Sequence, residues 1–248
     1  MKTLTSTQFY RQLTASCAIF LAATAVAESV QADDATAAEQ EKRAKAEKGF
    51  APLLEGDGRE TWVGYGLDGW PLGWELADGV LHRKGGGGDL RTVKKYGNFE
   101  LRFQWKVAPG GNSGVIYRAK QQDAPAYRTG PEFQILDNAS HGDGKNPLTS
   151  AGALYGLYAP AKDAAKRVGQ WNSARIVVRG DRVRHFLNDE KVVECELGSD
   201  DWNHRVAESK FAEWPEYGKM KRGHIVLQDH GDEVWFRNMR IKEFKKAK

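Results

Sequence analysis

Apolar and polar residues alternate along most of the chain after Gly49, in short runs separated by Gly, Asn and Asp. Alternation with a period of two places one set of side chains on each face of a β-strand, so each run predicts a strand with one buried face. The clearest runs are 74–83, 98–107, 113–120, 132–138, 173–194, 224–230 and 234–244. Together they predict roughly ten short strands.

Turn sequences of two residues divide two of these runs. Asp78-Gly79 lies inside 74–83, and Gly180-Asp181 and Asn188-Asp189 lie inside 173–194. Gly, Asn and Asp tolerate the positive φ that tight hairpin turns require. The first run therefore predicts a hairpin, and the second predicts a meander of three strands.

Helical periodicity is nearly absent from the sequence. The only helix candidates are the segments 33–48, 161–167 ("AKDAAKR") and 207–214 ("AESKFAEW"). A chain of many short strands buries its apolar faces by packing one sheet against another. We therefore predict an all-β fold, a β-sandwich of two antiparallel sheets, as one domain from 49 to 248.

The N-terminus has a different pattern. Basic residues precede the apolar run "ASCAIFLAATAVA" at 15–27, which ends in small residues. This arrangement is typical of a secretory signal peptide and too short for a membrane-spanning helix. We predict a signal peptide at 1–27, with cleavage after Ala27 or Ala32, and a charged linker at 33–48. The mature protein is then periplasmic or secreted, without a membrane anchor.

Charge and cysteine content narrow the function classes. Lys and Arg outnumber Asp and Glu by 37 to 33, and no concentrated basic block precedes the short C-terminal tail. This composition does not indicate nucleic-acid binding. Cys195 is the only cysteine outside the predicted signal peptide, which excludes an intramolecular disulfide.

The tryptophans divide into two groups. Trp105, Trp171 and Trp235 alternate with polar residues in predicted strands and are expected to fill the core. The others lie in segments that contain Gly or Pro: Trp62, Trp70, Trp74, Trp202 and Trp214. Aromatic side chains in such segments suit sugar rings, and Trp74 is the one we predict to contact substrate.

Several segments together resemble the 3-keto-disaccharide hydrolase domain family. They are "GDLRTVKKYGNFELRFQWKVAPGGNSGVIYR", "EFQILDN", "GALYGLYAP", "GQWNSARIVVRGDRVRHFLND" and "GHIVLQDHGDEVWFRNMRIKEF", and they occur in the family's order. The resemblance implies a concanavalin A-like jelly roll with a concave groove that binds carbohydrate. It also implies a secreted enzyme whose substrate is a glycoside oxidised at carbon 3. Arg91 departs from the family pattern, where many relatives carry an aromatic residue, and bears on substrate choice.

The segment "GPEFQILDN" carries acid groups inside a strand pattern. Alternation places Glu132 and Gln134 on the groove face and Phe133 and Ile135 on the core face. Asp137 reaches the groove only through a β-bulge. The spacing is similar to the E-x-D-x-x-E signature of laminarinase-type retaining glycosidases, with an amide at the middle position. A retaining mechanism needs two carboxyl groups about 5–5.5 Å apart, so it is disfavoured here.

A ketone at carbon 3 allows another route. It acidifies the proton at carbon 2, so a base removes that proton, a cation stabilises the enolate, and the glycosidic oxygen leaves from carbon 1. We predict Glu132 as the acid or a ligand, His230 as the base and Arg118 as the cation. Asp137 is the fourth catalytic candidate.

Six further residues are predicted to contact substrate: Gln134, Asn112, Tyr155, Gln228, His185 and Trp74. Gln228 shares a strand face with His230, Asn112 lies in "GGNSG", and Tyr155 lies in a loop at one end of the groove. His185 shares a face with Val183 and Leu187, so it equally fits a core histidine.

The sequence leaves three questions open. The sequence establishes no cofactor and leaves metal dependence open. His185, His230, Glu132 and Asp137 are ligand types that a divalent metal uses, although no metal motif is present. A non-catalytic carbohydrate-binding module and a laminarinase-like hydrolase acting on unoxidised glucan are the alternative functions. Hydrolysis and elimination are not distinguished.

Overall fold

A computed structural model describes residues 47–245 of the 248-residue chain. The predicted signal peptide, and the predicted linker up to residue 46, lie outside the described residues. The strands are β1 (Ala51–Pro52), β2 (Trp62–Gly64), β3 (Trp74–Ala77), β4 (Val80–Arg83), β5 (Leu90–Thr92), β6 (Phe99–Val107), β7 (Asn112–Ala119), β8 (Glu132–Leu136), β9 (Asn172–Arg179), β10 (Arg182–Leu187), β11 (Glu190–Glu196), β12 (His224–Leu227) and β13 (Val234–Glu243).

Two antiparallel sheets contain these strands, as predicted. The large sheet has the order β11-β10-β9-β6-β13-β4-β3, with β1 beside β13, and the small sheet has the order β2-β5-β12-β7-β8. An α-helix, α1 (Asp200–Ala207), and short 3₁₀ segments at Ala126–Arg128, Gly142–Lys145, Pro147–Thr149 and Lys210–Glu213 are the further regular elements of residues 48–245. No helix within residues 47–245 is long and apolar enough to span a membrane.

The core lies between the two sheets. In β6, Phe99, Leu101, Phe103, Trp105 and Val107 are buried and alternate with half-buried polar residues. The small sheet is buried on both faces. Segment 120–131 contributes Ala126 to a second apolar cluster with Ile116, Ala119 and Val226. This cluster covers part of the outer face of the small sheet, and polar side chains occupy the remainder of that face.

Both predicted turn-containing runs are confirmed. β3 and β4 pair across Asp78-Gly79, and β9, β10 and β11 pair in sequence. Asp78 and Gly79 have φ of 51° and 71°, and Asn188 and Asp189 have φ of 48° and 67°. These are the left-handed values that a two-residue hairpin turn needs.

The helix predictions were less accurate. Segment 161–167 forms no helix, and 207–214 contains only the 3₁₀ segment Lys210–Glu213. The helix α1 was not predicted, although its start has a recognisable signal. The side chain of Ser199 accepts a hydrogen bond from the backbone N–H of Trp202, and Asp200 and Asp201 lie in the first turn.

Two of the core tryptophan predictions were wrong. Trp105 is buried between the sheets. Trp171 and Trp235 lie half-buried on the outer face of the large sheet, where Lys106 lies over both rings. They align with Lys106 in the strand register, and Lys106 points outward from β6.

Candidate active site

Four residues form a line across the outer face of the small sheet, which we call the polar row: Asp89, Gln228, Gly114 and Gln134. The pairing of β5 with β12, β12 with β7, and β7 with β8 places them in register. The next row along the strands contains Arg91, Val226, Ile116 and Glu132. We call the outer face of the small sheet along the polar row, with the segments that border it, the groove. The adjoining row carries Glu132, the acid predicted from the sequence.

The side chain of Glu132 leans from its own row over Gly114. A Cβ atom at position 114 would overlap the carboxyl group of Glu132, so the absence of a side chain there makes the space. Glu132 is only 5% exposed. The amide of Gln134 lies 3.2 Å from Oε1 of Glu132. An amide accepts from a protonated carboxyl and donates to an ionised one, so this contact serves both protonation states.

Burial raises the pKa of Glu132 to about 8, because an ionised carboxylate is poorly solvated there. Lys210 lowers this pKa, whereas the charges of Asp89 and Asp143 raise it. Glu132 is thus mostly protonated at neutral pH. This is the protonation state that a general acid requires.

Asp89 is a second carboxylate in the groove that sequence reasoning missed. Burial and the charge of the nearby Asp229 together raise its pKa to about 6, against the effect of a hydrogen bond of 2.8 Å from the backbone N–H of Asp229 to Oδ1. Asp229 itself pairs with the buried Arg83. Asp89 directly precedes β5, but only the pairing of β5 with β12 shows that it shares a row with Gln134.

His230 lies on the rim of the groove, with its side chain 46% exposed. Its Nδ1 lies 3.8 Å from Oδ2 of Asp232, and its Nε2 lies 3.5 Å from Nδ2 of Asn112. A carboxylate on the Nδ1 side favours the proton on that nitrogen and leaves the Nε2 lone pair facing the groove. His230 therefore has the geometry of a base.

His141 is a second imidazole at this end of the groove, and the sequence did not indicate it. Its ring centroid lies 6.1 Å from that of His230, and its Nε2 lies 3.5 Å from Nδ2 of Asn112. Its Nδ1 accepts a hydrogen bond from the backbone N–H of Asp143. Asn112, predicted to contact substrate, lies on the groove floor between the two rings.

One tyrosine and one lysine border the groove beside Glu132. The backbone N–H of Tyr155 donates to the carbonyl of Glu132, and its hydroxyl donates to Asp143 at 3.4 Å. Burial, reinforced by Asp143 and Glu132, raises the pKa of Tyr155 to about 12. Lys210 lies 4.5 Å from the centre of the Tyr155 ring and is exposed. Tyr155 is thus placed beside Glu132 as a wall of the groove.

The prediction for Arg118 was wrong. Its guanidinium donates to the carbonyls of Gly97 and Gly180, which lie in connections of the large sheet. Its φ is 53°, at the irregularity where the pairing of β7 with β12 shifts. The bulge turns Arg118 away from the alternation on which the prediction relied, so it joins the ends of the two sheets.

Asp137 was predicted to reach the groove, but it lies in the turn that follows β8. β8 ends at Leu136, and no bulge returns Asp137 to the groove floor. Its Oδ2 accepts from the backbone N–H of Gly110, and its Oδ1 accepts from that of Ala139. These bonds lower its pKa against the effect of burial. Asp137 therefore stabilises the turn that follows β8.

His185 and Trp74 lie in the core and do not line the groove. The Nε2 of His185 lies 3.1 Å from the hydroxyl of Tyr117, and its Nδ1 lies 3.2 Å from the carbonyl of Gly152. Burial lowers the pKa of His185 to about 4, so it is neutral. Trp74 is buried against Phe236, and its Nε1 donates to the carbonyl of Gly88. Both substrate-contact predictions are corrected.

The groove thus brings together six of the ten predicted residues: Glu132, Gln134, Asn112, Gln228, His230 and Tyr155. Asp89, Asp143, His141 and Lys210 join them from segments that sequence reasoning did not select. Within residues 47–245, no group of three or more His, Cys, Asp or Glu side chains has the arrangement of a metal site.

The sequence matches a known domain family over most of its length. Residues 49–242 match the model of the 3-keto-alpha-glucoside-1,2-lyase-like domain. A 3-keto-disaccharide hydrolase of Bacteroides thetaiotaomicron is 37% identical over 226 residues, which cover 78% of each chain.

Solved structures agree with this match. A candidate glycosyl hydrolase from Parabacteroides distasonis has a TM-score of 0.73 and 32% identity, over 81% of this chain and 96% of its own. A second one from the same organism has a TM-score of 0.62 and 27% identity, over 79% and 99%. A galectin-like protein from Bacillus subtilis, 10% identical, has a TM-score of 0.50 over 80% and 96%, which supports the jelly-roll fold alone.

Proposed function

Because the chain belongs to the 3-keto-alpha-glucoside-1,2-lyase-like domain family, we propose that it is an exported enzyme that cleaves 3-keto-glycosides. Cleavage proceeds by elimination across carbons 1 and 2, followed by addition of water. The observation that carries this proposal is Glu132, a buried carboxyl group over Gly114 that is mostly protonated at neutral pH. Export rests on the signal-peptide pattern at 1–27.

The first step divides between two side chains. The Nε2 atom of His230 takes the proton from carbon 2, which the neighbouring ketone acidifies, and the electron pair moves toward the ketone oxygen. The bond between carbon 1 and the glycosidic oxygen then breaks, and Glu132 gives its proton to that oxygen. The products are an unsaturated keto sugar and a free alcohol, with His230 protonated and Glu132 ionised.

The second step reverses both proton transfers. Glu132 takes a proton from water as the oxygen of that water bonds to carbon 1, and His230 returns its proton to carbon 2. The sum of both steps is hydrolysis, and release of the unsaturated sugar after the first step would make the same site a lyase. In the hydrolase route the second step restores the starting protonation state, and in the lyase route His230 releases its proton to water and Glu132 takes one up from water.

The remaining groove residues bind the substrate, stabilise the enolate or keep Glu132 protonated. The amides of Asn112, Gln134 and Gln228 present hydrogen-bonding groups from the floor toward the ketone and hydroxyl groups. Lys210 replaces Arg118 as the cation near the enolate, since its charge acts on Glu132. Burial keeps Glu132 protonated, and the negative charge of Asp89 raises the pKa of Glu132 in the same direction.

A laminarinase-like mechanism does not suit this site. Gln134 occupies the middle position of the signature, and the carboxylate of Asp137 is held by backbone N–H groups at the end of β8. Glu132 therefore lacks a partner carboxylate from the same strand at the distance that a retaining mechanism requires.

The test is turnover of a 3-keto-disaccharide, with products identified by mass spectrometry. We expect Glu132→Gln and His230→Ala each to lower kcat at least about 100-fold, the usual contribution of a general acid or base, with little change in Tm. We also expect the wild-type rate to fall as the pH rises through about 8, where Glu132 loses its proton.

Asp89→Asn is the matched electrostatic variant. It removes a charge that raises the pKa of Glu132, so the alkaline limb of the rate profile should move to lower pH. Wild-type turnover in both Glu132→Gln and His230→Ala would refute the mechanism. Cleavage of unoxidised β-glucan, or glycan binding without any product, would identify the laminarinase-like or binding-module function instead.

A further inference from the structure

The outer face of the large sheet, on the opposite side of the sandwich from the groove, carries a concentrated positive charge. Nine Arg and Lys side chains alternate with the core residues of β6, β9, β10 and β13. They are Arg102, Lys106, Arg175, Arg179, Arg182, Arg184, Arg237, Arg240 and Lys242. We call this surface the arginine face. Glu100 alternates with them on β6, and Glu194 and Glu196 of the neighbouring strand β11 lie opposite Arg184 and Arg182, so the cations of this face outnumber its carboxylates nine to three.

Some of these cations lie directly opposite one another in the strand register. Arg175 pairs with Arg102, and Arg102 pairs with Arg240, so three arginines form one row across β9, β6 and β13. Arg182 lies opposite Arg179 on β10 and β9. Glu100 pairs with Arg102 and Arg175, and Glu194 lies 3.9 Å from Arg182, so part of the repulsion between opposed like charges is relieved. The rows still carry more cations than carboxylates.

The charge is local to this face. The whole chain has a formal net charge of only +4, so the remainder of the molecule is net acidic. The groove follows that trend, because it carries the carboxylates of Asp89 and Asp143, whose charges both act on Glu132. The two sides of the sandwich therefore have opposite electrostatic character, and an anionic molecule is attracted to the arginine face and not to the groove.

Aromatic rings hold several guanidinium groups in fixed positions. The guanidinium carbon of Arg175 lies 3.5 Å from the ring centre of Phe186, that of Arg179 lies 3.7 Å from Phe244, and that of Arg237 lies 4.1 Å from Trp171. A stacked guanidinium keeps its edge N–H groups for hydrogen bonds to oxyanions. Less rotamer entropy is then lost on binding.

We propose that the arginine face binds an acidic polysaccharide, one that carries carboxylate or sulfate groups along its length. Seven of the nine cations are arginines, whose planar fork matches carboxylate and sulfate oxygens in pairs. Neighbouring strands lie about 4.8 Å apart, so the rows present regularly spaced donors to an extended chain. The large exposed apolar residues of the described chain are Leu67, Leu72, Val93 and Val168, and none lies on these strands. Insertion into a lipid surface is therefore not favoured.

The experiment measures binding of the full chain to polygalacturonate and to dextran sulfate in about 0.15 M salt, where free charges are screened beyond about 8 Å. Neutral dextran is the polymer control. We expect binding of at least one acidic polymer and none of dextran. The variant Arg175→Gln/Arg179→Gln/Arg184→Gln should weaken that binding at least about tenfold, since each charged hydrogen bond contributes appreciably.

A second triple variant controls for net charge. Lys95→Gln/Lys219→Gln/Arg222→Gln removes three exposed cations that lie outside the four strands, and it should change the affinity less than about twofold if the effect is local. Equal losses in both variants, or no binding of either acidic polymer by the wild type, would overturn the proposal. Tighter binding to phosphatidylglycerol vesicles or to a DNA duplex would overturn it in favour of those partners.

The test is independent of catalysis. None of the three arginines belongs to the groove, so the Arg175/Arg179/Arg184 variant should cleave a 3-keto-disaccharide at the wild-type rate. Loss of polymer binding with unchanged turnover supports the arginine face. Turnover that falls in parallel with polymer binding would show that these arginines act on the groove, which contradicts the proposal.

Discussion

At the scale of single residues, the properties of Glu132 follow from the burial of its carboxyl group, which is unfavourable for the ionised form. A carboxyl group removed from water keeps its proton, since the neutral form costs less to bury than the charged one. The space over Gly114 and the amide of Gln134 accommodate it without an ion pair. An acid that remains protonated at neutral pH is the result, and the same burial makes the stability of the protein depend on pH.

The expected dependence has a definite sign. Between pH 4.5, the ordinary pKa of a Glu side chain, and about 8, native Glu132 holds a proton that the unfolded chain has lost. Its contribution to the free energy of unfolding therefore falls as the pH rises through this window, by at most about 1.4 kcal/mol per pH unit. Glu132→Gln lacks this dependence.

Urea denaturation at pH 5, 6, 7 and 8 measures this effect as a difference between the two proteins. Glu132→Gln should gain stability relative to the wild type at each step toward pH 8. Burial lowers the pKa of His185, so its contribution to the free energy of unfolding rises with pH below pH 6.5. His185 is present in both proteins, so this contribution cancels in the difference between them. A constant difference across the series would show that Glu132 is ionised in the native state.

At the scale of secondary-structure elements, the pairing of β7 with β8 assembles the site. Gly114 lies opposite Gln134, and Ile116 lies opposite Glu132. The polar row exists only because β5, β12, β7 and β8 are in this register. A single side chain added at Gly114 would disturb it without changing any charged group.

Gly114→Ala is the variant that tests this arrangement. Its Cβ atom would overlap the carboxyl group of Glu132, so Glu132 must move out of place. We expect kcat to fall at least about tenfold, since a displaced acid is poorly positioned for proton transfer. Gly142→Ala is the matched control, because no atom lies within 4 Å of its Cβ position.

Circular dichroism and Tm establish that both alanine variants fold. Activity of Gly114→Ala close to that of Gly142→Ala would mean that Glu132 does not need the space over position 114. The assignment of Glu132 as the acid would then lose its geometric basis.

At the scale of the whole molecule, Arg118 connects the two sheets. It donates to the carbonyls of Gly97 and Gly180, and its Nη1 atom is buried without a hydrogen-bond partner. Burial lowers the pKa of Arg118 against the effect of Asp181. The residue predicted to stabilise a reaction intermediate therefore stabilises the packing of the sandwich.

Arg118→Met should lower the free energy of unfolding by about 2–4 kcal/mol, because the carbonyls of Gly97 and Gly180 lose the three hydrogen bonds that the buried guanidinium donates. Its kcat per folded molecule should stay within about twofold of the wild type. Denaturant titration and turnover at a temperature well below Tm measure both quantities. Normal stability combined with lost turnover would return Arg118 to the catalytic residues.

The fold was largely predictable from the sequence, and the site was predictable in part. Alternation in β6 and the turn residues Asp78-Gly79 and Asn188-Asp189 act locally, so they indicate strands and hairpins without knowledge of the tertiary structure. The face of Glu132 and Gln134 followed from the same rule. The rule failed at Arg118, where a bulge interrupts the alternation.

The sequence by itself determined the alternating strands, the two-layer sandwich, the family and the groove face of β8, because each follows from a local periodicity or from linear motifs. Only the tertiary structure decided which polar residues meet. Asp89 and Glu132 are 43 positions apart and share a groove because three strand pairings place them there. The burial that sets the pKa of each carboxyl group depends on every segment packed around it, and no local pattern contains that information.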